Sequence, residues 1–133
     1  MSKKTFAPAC PEWIDDLAEG QVFVFGSNLA GMHGGGAAWI AAKRFGAVMG
    51  QGVGLQGRSY AIPTMHGPVE EIKPYVEEFL AFACAHPELE FLVTRIGCGI
   101  AGFTDAQIAP LFKEAEGKPN VRLPQSFIDI LNR

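Results

Sequence analysis

Apolar positions in this chain fall into short unbroken runs and longer periodic ones. "VFVF" (22–25) and "EFLVTRIG" (90–97) are rich in Val, Ile and Phe and end on or just before glycine, which predicts short buried strands. "RSYAIPT" (58–64) predicts a third strand, with Pro63 forcing it to end or to lie at an edge, and "NVRLP" (120–124) is a weaker fourth. Residues 36–45 and 69–85 read as helices. In the second, Ile72, Val76, Phe79, Leu80 and Ala83 share one face with acidic residues opposite, and Pro74 fits only near the first turn. Thr104 followed by Gln107 has capping-box spacing for a helix in "DAQIAPLFKEA", which Pro110 should kink or divide. Strands alternating with helices predict an α/β domain with a largely parallel sheet, whose ligands bind at the carboxyl ends of its strands.

Glycine interrupts this pattern twice. Of 16 glycines, ten lie between Gly26 and Gly57, and Gly97, Gly99 and Gly102 form a second cluster. Both loops follow predicted strands, so both belong on the carboxyl rim of the sheet. Glycine loses the most backbone freedom on folding, so such clusters imply either tight packing or a bound group. In "GSNLAGMHGGGAA" the triplet Gly34, Gly35, Gly36 precedes a helix start, where free N–H groups and the positive dipole end suit an anion or a ribose. Packing of the alanine-rich helix through Ala37, Ala38, Ala41 and Ala42 is the competing explanation. Neither a P-loop nor a dinucleotide fingerprint is matched, since no Gly-Lys-Ser/Thr follows and no acidic residue lies about 20 positions on.

Composition narrows the partners. A chain of 133 residues, 48% hydrophobic and 19% charged, suits one domain over 1–133, with about 1–11 a loosely held terminus. It carries no secretory leader pattern and no membrane-length apolar run, so a cytoplasmic protein is expected. Net charge of -3 argues against a general nucleic-acid surface, so backbone N–H groups would have to hold any phosphate. Cys10, Cys84 and Cys98 have neither disulfide-framework nor zinc spacing, so reduced thiols are expected, with no metal and no cofactor.

Candidate site residues follow from the two loops. Ser27 and Asn28 sit at the mouth of the first strand, where Asn28 can bond a ribose hydroxyl or shape the turn. His33 is the one titratable side chain inside the first loop and so the candidate for acid–base work, with His66 behind it. In "RIGCGIAGFTDAQ" the residues Gly97, Cys98, Gly99, Ile100, Ala101 and Gly102 repeat the strand, glycine and helix arrangement. Phe103 either stacks on a base or ribose or plugs the core. Cys98 lies near loop N–H donors, which would lower a thiol pKa, although small-residue packing is its plainer role.

The first loop, "GQGVGLQGRSYAIPT" (50–64) and "RIGCGIAGFTDAQIAPLF" (95–112) together resemble a macrodomain, the ADP-ribose-binding α/β module, over roughly residues 20–115. The second loop is most similar to the subgroup related to the hydrolase that removes ADP-ribose from glutamate. The "GSN…G.HG.GAA" block also resembles uncharacterised bacterial and phage proteins. The resemblance implies a three-layer fold with a parallel or mixed sheet. It implies a diphosphate on the backbone of residues 97–102, with Phe103 near the ribose, and a distal ribose facing Asn28 and Gly34, Gly35 and Gly36. Catalysis transfers less well: Ala101 stands where those relatives carry Asp, Met65 about where they carry Lys, and Ala37 and Ala38 where another hydrolase group has Asp. The acidic residue that recognises adenine has no clear counterpart, Asp15 or Asp16 standing as candidates.

Three functions remain open on the sequence. One is binding of ADP-ribose or a related nucleotide with hydrolysis of an ADP-ribosyl bond or a 1''-phosphate, His33 moving a proton or orienting water. A second is a non-catalytic reader or sequestering protein for free ADP-ribose, an ADP-ribosylated macromolecule or an NAD-derived signal. A third is a ligand-free protein-interaction module.

Overall fold

The computed structural model describes residues 5–99 and 101–133. Strand β1 (Gln21–Ser27) runs through the middle of a five-stranded sheet, flanked in parallel by β3 (Ser59–Pro63) and β4 (Glu90–Val93). Beyond β4 lies the two-residue β5 (Val121–Arg122), also parallel, and beyond β3 the short antiparallel β2 (Gly54–Gln56). In register, Val24 lies between Tyr60 and Val93.

Side chains alternate across a pleated strand, and here that alternation divides the interior into two layers of packing. Val22, Val24, Tyr60, Ile62, Phe91 and Val93 face a large core completed by α2 (Lys73–Ala85), α3 (Asp105–Ile108), the 3-10 segment Ala109–Ala115 and α4 (Gln125–Leu131). Phe23, Phe25, Ala61 and Leu92 face a smaller core under α1 (Gly36–Arg44), where Ala38, Ala41 and Phe45 let the helix lie close to the sheet. The chain is therefore a three-layer α/β domain with a mostly parallel, mixed sheet, of which its pattern predicts the α/β class and the largely parallel pairing. Among the described residues no helix is long and apolar enough to cross a membrane.

Several predicted boundaries move for identifiable reasons. β4 stops at Val93, short of the predicted 97: the Thr94 N–H makes the last ladder bond, to the Val24 carbonyl, which the Thr94 hydroxyl also caps, and Gly97 (φ 75°) opens the loop. Pro63 closes β3, which is internal to the sheet. A 3-10 turn (Val69–Glu71) precedes α2, placing Pro74 in the first turn. Thr104 and Gln107 form the capping box, and Pro110 marks the change from α3 to 3-10 geometry. β2 and α4 carry too short a pattern to stand out in the sequence.

The expected loose terminus is held from Thr5 onward. The Thr5 carbonyl accepts from the Gly117 N–H, the Arg122 guanidinium donates to the Pro8 and Ala9 carbonyls, and the Cys10 N–H donates to the Leu123 carbonyl at 2.8 Å. Cys10 itself is buried.

Candidate functional site

β1 sends its connection through α1 toward β3, whereas β4 sends its connection through α3, on the opposite face, toward β5. Neighbouring parallel strands whose connections diverge leave a crevice beyond their carboxyl ends, the usual ligand position in open α/β sheets. A cleft of about 1050 Å³ occupies that position. One wall is the N-terminal segment from Cys10 to Asp15. The other is the outward stripe of α1, with Gly36, Ala37, Trp39, Ile40 and Arg44. Val93, Thr94 and Arg95 of the β4 end, with Asp105, Pro124, Gln125 and Ser126, complete it.

The N-terminus of α1 is open toward this cleft. Its N-cap, Gly35, contributes no side-chain hydrogen bond, and the first turn holds no acidic residue. The amides of the first turn are thus left for an external acceptor. Across the cleft, Arg95 Nε and Nη2 donate to the two Asp105 carboxylate oxygens, both at 2.9 Å. This planar pairing orients the guanidinium and leaves Nη1 outside it. The Arg95 hydrogen bonds, followed by that from Cys98, hold the Asp105 carboxyl below the usual carboxylate range against the opposing effect of burial.

The first-loop candidates turn inward. The Ser27 hydroxyl donates to the Gly52 carbonyl, and the Asn28 side chain closes its own turn, accepting from the Met32 N–H at 2.9 Å and donating to the Met32 carbonyl at 3.1 Å. His33 is 2% exposed and packs edge-on to Phe25. Its Nε2 lies 3.1 Å from the Gln51 carbonyl and 3.2 Å from Gln56 Oε1. Gln56 Oε1 is fixed as an acceptor because the Val48 N–H donates to it at 2.7 Å, so His33 Nε2 faces two acceptors and carries the proton. His33 does not line the cleft. His66 is committed elsewhere, its Nε2 donating to the Glu71 carbonyl at 2.8 Å.

The second loop is partly self-bonded. The N–H groups of Cys98, Gly102 and Phe103 donate to the carbonyls of Arg95, Gly99 and Gly97. Phe103 packs against the larger core, as the plug alternative has it. Ile100 lies outside the described residues. The expected lowering of the Cys98 pKa is reversed: burial, then its hydrogen bond to the Asp105 carboxylate, pushes the thiol up to about 11. A thiol beside a carboxylate is kept protonated, which removes it as a nucleophile at neutral pH. All three cysteines are free, and no cluster of metal-ligand side chains occurs among the described residues.

The loop glycines separate into two kinds. A Cβ at Gly31 or Gly52 would collide with the backbone of the facing segment, Gln51 in one case and Asn28 in the other, so these serve close packing. Gly34 in the first loop and Gly99 in the second have ordinary φ values and nothing within 4 Å of a would-be Cβ. Neither chain geometry nor packing requires glycine at those two positions.

The sequence reading missed Trp13, Trp39, Arg44 and Gln125. A usable signal exists for Trp39, since Ala38, Ala41 and Phe45 define the buried stripe of α1 and leave it pointing outward. Of the adenine candidates, Asp15 lines the cleft, whereas Asp16 caps the Leu17 N–H and sits 4.0 Å from Arg58. No family model, no curated protein and no solved structure matches the chain.

Proposed function

We propose that the chain binds ADP-ribose or a related nucleotide on the carboxyl rim of its sheet. The observation that carries this reading is the cleft of about 1050 Å³ at the divergence of the β1 and β4 connections. Its mixture of apolar walls, paired Arg95 and Asp105, and an uncapped helix start suits a ligand with both a flat apolar part and an anionic part. Of the glycines in the two loops only Gly36 lines the cleft; Gly34 and Gly99 are open positions outside that lining, so an anion held at the helix start would have to extend along the loop backbone to reach them. The macrodomain resemblance points to the same ligand and remains part of the proposal.

A non-catalytic role is favoured over hydrolysis by the position of His33. Its ring is buried beneath the first loop and bonded to Gln51 and Gln56, so it is poorly placed to deliver a proton to a ligand in the cleft. Binding as a reader or sequestering protein requires no such group.

The test is a calorimetric titration with ADP-ribose, beside AMP and NAD, on the parent chain and on Gly34→Glu and Gly99→Glu. Binding is expected for the parent and at least tenfold weaker in each variant, with thermal midpoints unchanged because both positions are open and unstrained. Unchanged affinity in both variants would remove the diphosphate from these loops, and silence of the parent toward the whole panel would remove the nucleotide. Release of ADP-ribose from an ADP-ribosylated peptide, or of phosphate from ADP-ribose-1''-phosphate, by the parent would overturn the non-catalytic role.

A further inference from the structure

The chain contains two tryptophans, and both line the cleft. Trp13 is 81% exposed and Trp39 49% exposed, although indole is among the side chains with most to gain from burial. Neither is loose. Trp13 Nε1 donates to Asp15 Oδ1 at 2.8 Å, the Asp15 carbonyl accepts from Arg44 Nη1 at 3.1 Å, and Lys43 Nζ sits 5.6 Å from the centroid of the Trp39 ring. The N-terminal segment and α1 are thereby stitched together through Asp15 and Arg44, with one tethered indole on each wall.

We infer that Trp13 and Trp39 form a clamp for a planar nucleobase, one indole supplied by each wall of the cleft. The inference rests on the nucleotide reading and assigns its base. Three observations choose this occupant over a protein segment. The indoles offer flat apolar faces, on which any base stacks through its π surface. The α1 axis supplies a ruler: Trp39 is three residues, about 4.5 Å, from the uncapped start of the helix at Gly36. A base against Trp39 and a phosphate at the helix start therefore fit within one nucleotide. Gln125, on the cleft wall, donates its amide Nε2 to Asp129 at 2.8 Å, which fixes Oε1 as an acceptor suited to an exocyclic amine on the edge of a base.

Because no other tryptophan exists in the chain, intrinsic tryptophan fluorescence reads this cleft directly. The experiment titrates adenosine, ADP-ribose, ribose 5-phosphate and pyrophosphate into the parent, Trp13→Ala, Trp39→Ala and Trp39→Phe, following fluorescence and calorimetric affinity together. Saturable quenching by adenosine and ADP-ribose is expected, and no quenching by the two base-free ligands, whose phosphates bind at the helix start without stacking on an indole. Each alanine variant should bind about 5- to 100-fold more weakly, and Trp39→Phe should recover part of the loss. Parental ADP-ribose affinity in both alanine variants would overturn the clamp and leave the nucleotide reading standing. Saturable adenosine quenching without calorimetric ADP-ribose binding would support the clamp and overturn the ADP-ribose reading. No response to adenosine or ADP-ribose would overturn both.

Discussion

At the scale of single residues, the sequence reports polarity and position but not the direction in which a side chain points. Ser27, Asn28 and His33 were legible as polar residues in a glycine-rich loop on a sheet rim, which is where the structure has them. Their hydrogen bonds instead run into the loop and to residues 51–56, over 18 or more positions for Ser27 and His33. Such partners cannot be read from local pattern, because loop closure brings them together only once β1 and β3 have paired. The distinction between Gly31 or Gly52 and Gly34 or Gly99 is lost for the same reason: all four look alike until the facing backbone is in place. His33 gives the sharpest test. In His33→Ala the Gln51 carbonyl keeps the Gln56 amide and Gln56 Oε1 keeps the Val48 N–H, so losing the shared donor costs about 0.5–1.5 kcal/mol before any cavity is counted. Urea denaturation should register that loss while ADP-ribose affinity in calorimetry changes less than twofold. A variant of parental stability with abolished ligand binding or turnover would return His33 to the site.

Elements were legible where their periodicity was long or their punctuation strong. α2 has four buried positions on one face, continued by its buried N-cap Ile72, and α3 has its capping box, so both were foreseen. β2 has three residues, too few for alternation to register, whereas β5 is two residues inside the strand expected over 120–124; both form because β3 and β4 present edges to them. The joint between β4 and α3 carries a pH dependence with a definite sign. Asp105 at the start of α3 titrates below its ordinary value, chiefly because Arg95 after β4 donates two hydrogen bonds to it. Its contribution to stability is therefore present above the unfolded value, about pH 4, and is lost as pH falls through the lower folded value. Arg95 is 59% exposed, so solvent screening keeps the contribution to about 1 kcal/mol or less. Denaturation midpoints measured from pH 7 to pH 2 should show Asp105→Asn less stable than the parent at neutral pH, the difference shrinking toward pH 2. A gap constant across that range would mean that the pair does not couple to folding.

Across the whole molecule, the cleft is assembled from segments that no local reading could join. Its first wall lies at residues 10–15 and its far side at 124–126, tied by the Cys10 N–H to the Leu123 carbonyl and by Arg122 to Pro8 and Ala9. Position at the chain end suggested a loose terminus, and the contacts that contradict this span more than 110 positions. One guanidinium thus connects the outer strand of the sheet to the wall that carries Trp13. Arg122→Met keeps the apolar stem beside β5 and removes the donors to that segment. Losing two charge-assisted hydrogen bonds at a half-buried site should lower the local opening free energy by about 1–2 kcal/mol, so the Cys10 amide should exchange about 5- to 30-fold faster. If the anchored segment forms the binding wall, ADP-ribose affinity should fall in the same variant although Arg122 does not line the cleft. Faster exchange with undiminished affinity would separate the N-terminal segment from the ligand, and the wall would then belong to α1 and the β4 end alone.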